Sequence, residues 1–372
     1  MALQSSSYMS EYNESSDGVE QQADSNMNIP STLARRAALG FGLCVATTLA
    51  AAAAPSTSFT VSGAVDHPAS YDLSALQAQP ATTQTVTFQA GTTPQTHTYV
   101  GTSVWGLLNG AGIQTNPAVK NDLLNRVVVA TGSDGYRSVF ALGELSPNFG
   151  NLASLAAYAE TINGVTSPLG SDGVARVTAP GDVKGGRYVS NLVDLDLQHT
   201  GSTAVGTGGG TTTSFAVSGD VLHAQSFDLA ALEALPAVQR TVGTTTYTGV
   251  SFWDLLNSVV GLATDPTVKN EVLGMYVVAT GSDGYKAAFS LGELNPSFGN
   301  QPDIVAYQAN GALLTDNGFA RIVAPDDVKA GRYVSNLISL EVLHAAPVPE
   351  PETGVLLAVG LLALALRRRL PH

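Results

Sequence analysis

The chain is poor in cysteine and in charge. Its 372 residues include one Cys, and only 13% of them are charged. The single thiol, Cys44, lies in an apolar run near the N-terminus. The rest of the chain therefore lacks the thiolates that disulfides, cysteine-ligated zinc, iron–sulfur clusters and cysteine nucleophiles require.

Positive charge is scarce as well. The chain holds 17 Lys and Arg against 30 Asp and Glu, a net charge of -13. Residues 55–346 hold 23 of the acidic and 12 of the basic side chains. So few cations cannot form the basic surface that DNA or RNA binding needs, and we expect no nucleic-acid partner. A G-x-S-x-G motif is also absent, and the sequence predicts no catalytic triad.

Near the N-terminus the composition is that of an export signal. Residues 31–54 contain two arginines, then an uncharged apolar stretch, then a run of small residues. We assign residues 27–54 as the signal, read either by the general secretory route or by the twin-arginine route. We expect residues 1–26, which are polar and acidic, to be an extension upstream of a start at Met27.

The C-terminal segment, residues 347–372, has the composition of a short anchor. Its uncharged stretch, 354–366, is shorter than the roughly 20 residues of a spanning helix, and three arginines follow it. With its Val-Pro-Glu-Pro box at 348–351, this tail resembles the PEP-CTERM sorting signal of Gram-negative bacteria. The resemblance implies that the export machinery and an exosortase are partners, that membrane anchoring is transient, and that the protein is delivered to the envelope, cell surface or extracellular matrix, where envelope or matrix components are further partners. A plain anchor is the alternative.

The middle of the chain contains two similar copies of one sequence segment. Residues 127–151 and 276–300 are identical at 18 of 25 positions, and residues 174–192 and 319–337 at 14 of 19. A period above a hundred residues indicates a duplicated domain and excludes a solenoid.

The duplication predicts two domains of ordinary size, at residues 57–199 and 214–345. Residues 200–213 between them read TGSTAVGTGGGTTT, which has no apolar periodicity and predicts a flexible linker. We expect each repeat to fold alone and to move independently of the other.

Within each repeat the pattern favours strands joined by short helices. Residues 59–63 and 85–89 alternate apolar and polar side chains, which is typical of half-buried strands. Val104 and Leu107 recur at helical spacing after Thr102 and Ser103, residue types that cap helices. We predict an α+β fold dominated by sheet.

The order of landmarks in each repeat resembles the molybdopterin-binding domain of the sulfite oxidase family. The landmarks are a Trp helix, a TGSDGY segment and two arginine-containing segments, found at Trp105, Tyr136, Arg176 and Arg187 and again at Trp253, Tyr285, Arg321 and Arg332. The resemblance implies two tandem sulfite-oxidase-like domains, with molybdopterin as cofactor and an oxidoreductase activity.

One feature of that family is missing. Its enzymes hold molybdenum through a Cys thiolate upstream of the Trp helix, where this chain reads TVTFQA at 85–90 and RTVG at 240–243. Phe, Gln and Gly cannot replace a soft thiolate ligand. We therefore expect no metal site and no molybdenum chemistry, while binding of molybdopterin itself stays open.

Ten candidate cofactor-binding residues lie in the segments that the repeats share: Asp134, Tyr136, Arg176, Lys184, Arg187, Asp283, Tyr285, Arg321, Lys329 and Arg332. The Asp-Gly pairs at 134–135 and 283–284 predict turns, or ligand contact by the Asp and Tyr beside them. Arg176 and Arg321 either pair with the turn Asp of their own repeat or face an anion.

We interpret the chain as an exported, exosortase-sorted surface or matrix protein with a noncatalytic binding or structural role. Two alternatives stay open: a molybdopterin-dependent oxidoreductase of the sulfite oxidase class, and an envelope binding module for an anionic small molecule. That module would use the cationic loops at 184–187 and 329–332, which hold the most concentrated positive charge in the repeats. If a phosphate or pterin binds, these loops are the first choice.

Overall fold

The computed structural model describes residues 54–346 except residue 317. The predicted polar extension, the export signal up to residue 53 and the sorting tail lie outside these residues. All described residues belong to one compact unit. Among them, no helix is both long enough and apolar enough to cross a membrane.

The described chain is dominated by strands, as predicted, and the two repeats have the same order of elements. The first repeat contains β1 (Ser58–Gly63), β2 (Ala69–Asp72), α1 (Leu73–Gln77), β3 (Thr82–Ala90), β4 (Thr93–Ser103), α2 (Val104–Gly110), β5 (Arg126–Gly132), β6 (Arg137–Ala141), α3 (Leu142–Leu145), β7 (Leu155–Ile162), β8 (Val165–Pro168), β9 (Arg176–Val177) and β10 (Leu192–His199). The second repeat contains β11 (Ser214–Gly219), β12 (Gln225–Asp228), α4 (Leu229–Glu233), β13 (Ala237–Val242), β14 (Thr245–Ser251), α5 (Phe252–Asp254), β15 (Met275–Gly281), β16 (Lys286–Ser290), α6 (Leu291–Leu294), β17 (Ile304–Ala309), β18 (Ala312–Leu313), β19 (Arg321–Val323) and β20 (Leu337–His344).

Each repeat builds two five-stranded sheets. In the first repeat the orders are β2-β1-β10-β5-β6 and β3-β4-β7-β8, with β9 beside β7. In the second they are β12-β11-β20-β15-β16 and β13-β14-β17-β18, with β19 beside β17. The last strand of each repeat runs parallel to its first, β1 with β10 and β11 with β20. This pairing joins the two ends of each repeat in one sheet. It also places the loops that precede β10 and β20, which contain residues 184–187 and 329–332, beside the sheets.

Helix α2 begins where the sequence predicts. The Ser103 hydroxyl accepts a hydrogen bond from Gly106 N at 3.2 Å and so satisfies one of the free amides at the helix start. Trp105 packs against the core of the first repeat, and Trp253 packs against that of the second.

Strands β5 and β15 are buried on both faces. One face of each strand belongs to the core of its own repeat, and the other face meets the other repeat. Val127 and Val129 thereby share an apolar cluster with Tyr276 and Val278. A strand covered on both sides reads as a continuous apolar run rather than an alternating one, which explains the sequence VVVA at 127–130.

The contact between the repeats extends beyond this cluster. Leu124 and Phe149 of the first repeat are buried within the hydrophobic core of the second. Two related main-chain hydrogen bonds also cross, from Val183 N to Phe298 O and from Val328 N to Phe149 O, both at 2.9 Å. The prediction that the repeats move independently is therefore wrong, because they share one packed interior.

The Gly/Thr linker is also held against the second repeat. Thr207 N and Gly209 N donate hydrogen bonds to Ser282 O at 2.7 and 2.9 Å. At Gly206 an added Cβ would lie 2.4 Å from Gly284 N, so only glycine allows this close approach of the two backbones. The composition that predicts a flexible coil instead supplies backbone groups that pair with a turn.

A charge placed between the repeats tests the shared interior. Val278→Asp should lower the free energy of unfolding by about 3 kcal/mol, because the carboxylate would be buried without a partner. Scanning calorimetry should show one transition in the parent protein, and the same single transition at a lower temperature in the variant. Val165→Asp, at a site 66% exposed on β8, is the matched control and should leave the midpoint unchanged. Two separate transitions, of which only one moves, would contradict a shared interior.

Candidate functional site

The Asp-Gly turn of the first repeat forms as predicted, and the tyrosine that follows it, Tyr136, contacts the second repeat. Gly135 has a φ of 80°, and Asp134 Oδ1 accepts a hydrogen bond from Tyr136 N at 3.0 Å. The Tyr136 hydroxyl donates to Gly186 O at 2.6 Å and accepts from Asn270 Nδ2 of the second repeat at 3.0 Å. Burial raises the pKa of this phenol, which therefore remains a donor.

The second repeat makes the same arrangement. Gly284 has a φ of 83°, and Tyr285 N donates to Asp283 Oδ1 at 3.0 Å. The Tyr285 hydroxyl donates to Gly331 O at 2.6 Å and accepts from Asn121 Nδ2 of the first repeat at 2.9 Å. Both candidate tyrosines thus join the repeats to each other.

The candidates Arg176 and Arg321 do not pair with the turn aspartates. Arg176 Nη1 donates to Asp172 Oδ2 at 2.8 Å, and its guanidinium carbon lies 5.7 Å from the centroid of the Tyr188 ring. The Arg321 guanidinium lies 5.4 Å from the centroid of the Tyr333 ring, and within the described chain no carboxylate oxygen comes within 4.0 Å of its nitrogens. Burial lowers the pKa of Arg321.

Arg187, the first candidate for contact with a phosphate or pterin, lies in the interior. The residue is 1% exposed. Nε and Nη2 donate to Asp182 at 2.8 and 2.6 Å, and Nη1 donates to Glu144. Burial alone would lower the pKa of Arg187, but Glu144 and Asp182 raise it above its usual range. The two carboxylates therefore fill the anion-binding capacity of this guanidinium.

Arg332 has the same environment in the second repeat, at 2% exposure. Nε and Nη2 donate to Asp327 at 2.9 and 2.5 Å, and Nη1 donates to Glu293 Oε2 at 2.8 Å. Ser290 Oγ of the second repeat donates to Glu144 Oε2 of the first at 2.9 Å, which joins the two clusters into one network.

Each of these arginines lies on a glycine of the other repeat. A Cβ added to Gly292 would sit 2.6 Å from Arg187 Cδ, and a Cβ added to Gly143 would sit 2.8 Å from Arg332 Cδ. Any larger residue would force the arginine away. The absence of a side chain at these two positions is what allows the repeats to approach closely.

One buried carboxylate of the second repeat, close enough to Arg332 to feel its charge, has no counterpart in the first repeat. Asp303 is 4% exposed, and its Oδ2 has no hydrogen-bond partner among the described residues. Burial raises the pKa of Asp303 to about 7, although Arg332 opposes the shift. The first repeat has Ser154 at the equivalent place, where its backbone oxygen accepts from Val104 N just as Asp303 O accepts from Phe252 N.

Sequence reasoning missed the carboxylates of this network. A signal for them exists within the chain, because LGEL at 142–145 recurs unchanged at 291–294 and DVK at 182–184 recurs at 327–329. An acidic residue kept between apolar neighbours in both repeats indicates a buried, paired charge.

The candidates Arg176, Lys184 and Lys329 line two related grooves between the repeats. The larger has a volume of about 710 Å³ and includes these residues from both repeats: Asp134, Tyr136, Arg176, Lys184, Lys269, Asn270, Asn295, Ser297 and Phe298. The smaller, of about 420 Å³, includes Lys120, Asn121, Asn148, Phe149 and Lys329. The sequence alone did not reveal that each groove takes one wall from each repeat.

The surroundings of residues 85–90 do not fit a molybdenum-bound pterin. Phe88 is 5% exposed, and its ring centroid lies 4.2 Å from that of Tyr188. A Cβ added to Gly185 would lie 2.6 Å from the Phe88 ring, so this ring fills the space beside the cationic loop. The segment offers no thiolate, and the loop's guanidinium is already paired. Within the described ranges, no three His, Cys, Asp or Glu side chains meet as a metal site.

Removal of one buried guanidinium should destabilise the protein rather than only a ligand site. Arg187→Ala leaves Glu144 and Asp182 without their partner, and we expect the free energy of unfolding to fall by about 3 to 5 kcal/mol. Urea unfolding followed by circular dichroism measures the change. Lys184→Ala, on the same loop but exposed, should have little effect. Equal midpoints for the two variants would contradict a structural role for Arg187.

The buried Asp303 predicts a pH-dependent stability. Because its pKa is raised in the folded state, its contribution is fully present below the ordinary pKa of 3.8 and is lost as pH rises through about 7. Asp303→Ser should therefore gain stability relative to the parent between pH 4 and 7, with a constant difference above that range. Thermal midpoints across pH 4 to 9 measure it. Glu233→Gln, at an exposed carboxylate, is the control, and a pH-independent difference for Asp303→Ser would refute the prediction.

Comparison with known proteins identifies the tail. Residues 347–369 match the PEP-CTERM protein-sorting motif. No curated protein matches the chain. Among solved structures, the sulfane dehydrogenase SoxCD from Paracoccus pantotrophus is similar at 13% sequence identity over 75% of this chain and 77% of that chain, with a TM-score of 0.32. The predicted sorting tail is confirmed, and the chain is an exported protein with a motif that exosortase processes.

Proposed function

We propose that the mature protein is a noncatalytic surface or matrix protein in which residues 57–345 form a rigid binding or structural module. Its two repeats resemble the molybdopterin-binding domain of the sulfite oxidase family in fold and have lost that family's chemistry. The export signal directs the chain out of the cytoplasm, and exosortase cleaves near residues 348–351.

The observation that carries this proposal is that the guanidinium groups of Arg187 and Arg332 are buried and paired with carboxylates. In a cofactor-binding role these guanidinium groups would face the ligand. Here each one is buried and paired with two carboxylates of its own repeat. The positive charge that would attract a phosphate is thus neutralised within each repeat, and the buried Phe88 ring occupies the segment where that family carries its thiolate.

Molybdenum content tests the proposal. We expect protein purified from the native host to contain far less than one molybdenum per repeat by elemental analysis, because no residue of the mature chain supplies a soft thiolate. A molybdenum enzyme purified from the same cells in parallel shows that the metal was available. Stoichiometric molybdenum in this protein would overturn the proposal and favour the oxidoreductase alternative.

A further inference from the structure

The lysines of this chain are concentrated at the two grooves between the repeats. The sequence contains five lysines, at positions 120, 184, 269, 286 and 329. Lys184 and Lys269 line the larger groove, and Lys120 and Lys329 line the smaller. In a chain of net charge -13 this placement concentrates positive potential where both repeats meet.

The larger groove keeps its ammonium groups available. In the smaller groove, Lys329 Nζ donates to Asn148 Oδ1 at 2.6 Å. The position equivalent to Asn148 is Ser297, and within the described chain neither Lys184 nor Lys269 has a hydrogen-bond or ion-pair partner. The backbone beside Lys184 is nevertheless fixed, because Val183 N donates to Phe298 O at 2.9 Å. The groove therefore presents two unpaired ammonium groups, Lys184 from the first repeat and Lys269 from the second. The backbone beside Lys184 is held in place by the hydrogen bond to Phe298.

The rest of the lining is polar and uncharged for the most part. Five side-chain amides line it, at Gln89, Gln95, Asn191, Asn270 and Asn295, and Asp134 is the one carboxylate among the lining residues. The Nδ2 groups of Asn191 and Asn270 already donate to Ser171 O and to the Tyr136 hydroxyl. Two further lining residues, Arg176 and Tyr188, each carry a buried polar atom, Nε and the phenol oxygen, with no partner among the described residues. Amides, hydroxyls and a carboxylate pair with hydroxyl groups, whereas the lysines pair with an oxyanion.

We propose that the larger groove binds a polyhydroxylated anion of the sugar phosphate or sugar carboxylate class. Lys184 and Lys269 hold the acidic group. The side-chain amides of Gln89, Gln95 and Asn295 and the carboxylate of Asp134 hold the hydroxyls. This inference rests on the proposed binding role and assigns it a site that exists only when both repeats are present. The smaller groove, whose Lys329 is already paired, serves as an internal comparison.

Calorimetric titration of the full mature protein tests the site, with glucose 6-phosphate and glucuronate as probes. Glucose and inorganic phosphate are titrated as controls, because glucose carries only the hydroxyl groups and phosphate only the anionic group. We expect both acidic sugars to bind more tightly than either control, and the affinity to fall as NaCl is raised. The variants are Lys184→Gln and Lys269→Gln, and the matched controls are Lys329→Gln and Lys120→Gln.

Each groove variant should weaken binding about tenfold, the loss expected for one charge-assisted contact, while the controls should leave the affinity unchanged. Equal loss in the control variants, or no loss in Lys269→Gln, would overturn the composite site. Phosphate binding as tightly as glucose 6-phosphate would overturn the sugar assignment, as would the absence of binding by both acidic sugars. These failures leave molybdenum content untouched, so they are distinct from a failure of the proposed function.

Discussion

Two buried guanidinium groups determine how the repeats of this protein are joined. Arg187 and Arg332 lie in the interior, where an unpaired charge would cost several kcal/mol. Each is paired with two carboxylates of its own repeat and lies on a glycine of the other. The two repeats therefore depend on each other for packing. A repeat on its own would expose its buried arginine and the apolar outer face of β5 or β15.

The buried cations of the described chain are arginines, and most of the lysines line the grooves between the repeats. The arginines Arg126, Arg187 and Arg332 are buried beside carboxylates, whereas four of the five lysines are exposed. A planar guanidinium presents its donors in a fixed fork that matches two carboxylates, while an ammonium group is strongly hydrated and costly to bury. Four of the five lysines of this acidic chain therefore lie at the grooves between the repeats.

The duplication is close to symmetric in its framework and asymmetric in its polar detail. The LGEL turn, the Asp-Gly turn and the arginine cluster occur once in each repeat with matching hydrogen bonds. Asp303 replaces Ser154, and Ser297 replaces Asn148, which changes one buried charge and frees one lysine. Differences of this kind alter a groove or a protonation equilibrium without disturbing the apolar contacts that hold the strands.

The sequence by itself determined the sorting tail, the duplication, the sheet-dominated class and the Asp-Gly turns, because each depends on local residue order. It also predicted the cap of α2. It did not reveal that Arg187 pairs with Glu144, since residues 43 apart in the chain meet only after β5 to β10 have closed the sheet. The linker likewise could not be placed from sequence alone. Its Gly/Thr composition predicts a flexible chain, but it does not reveal that Ser282 O accepts hydrogen bonds from the linker backbone. Only the tertiary structure decided that both faces of β5 and β15 are covered, that the repeats form one body, and that a groove lies between them, because these features depend on which surfaces meet rather than on which residues are adjacent.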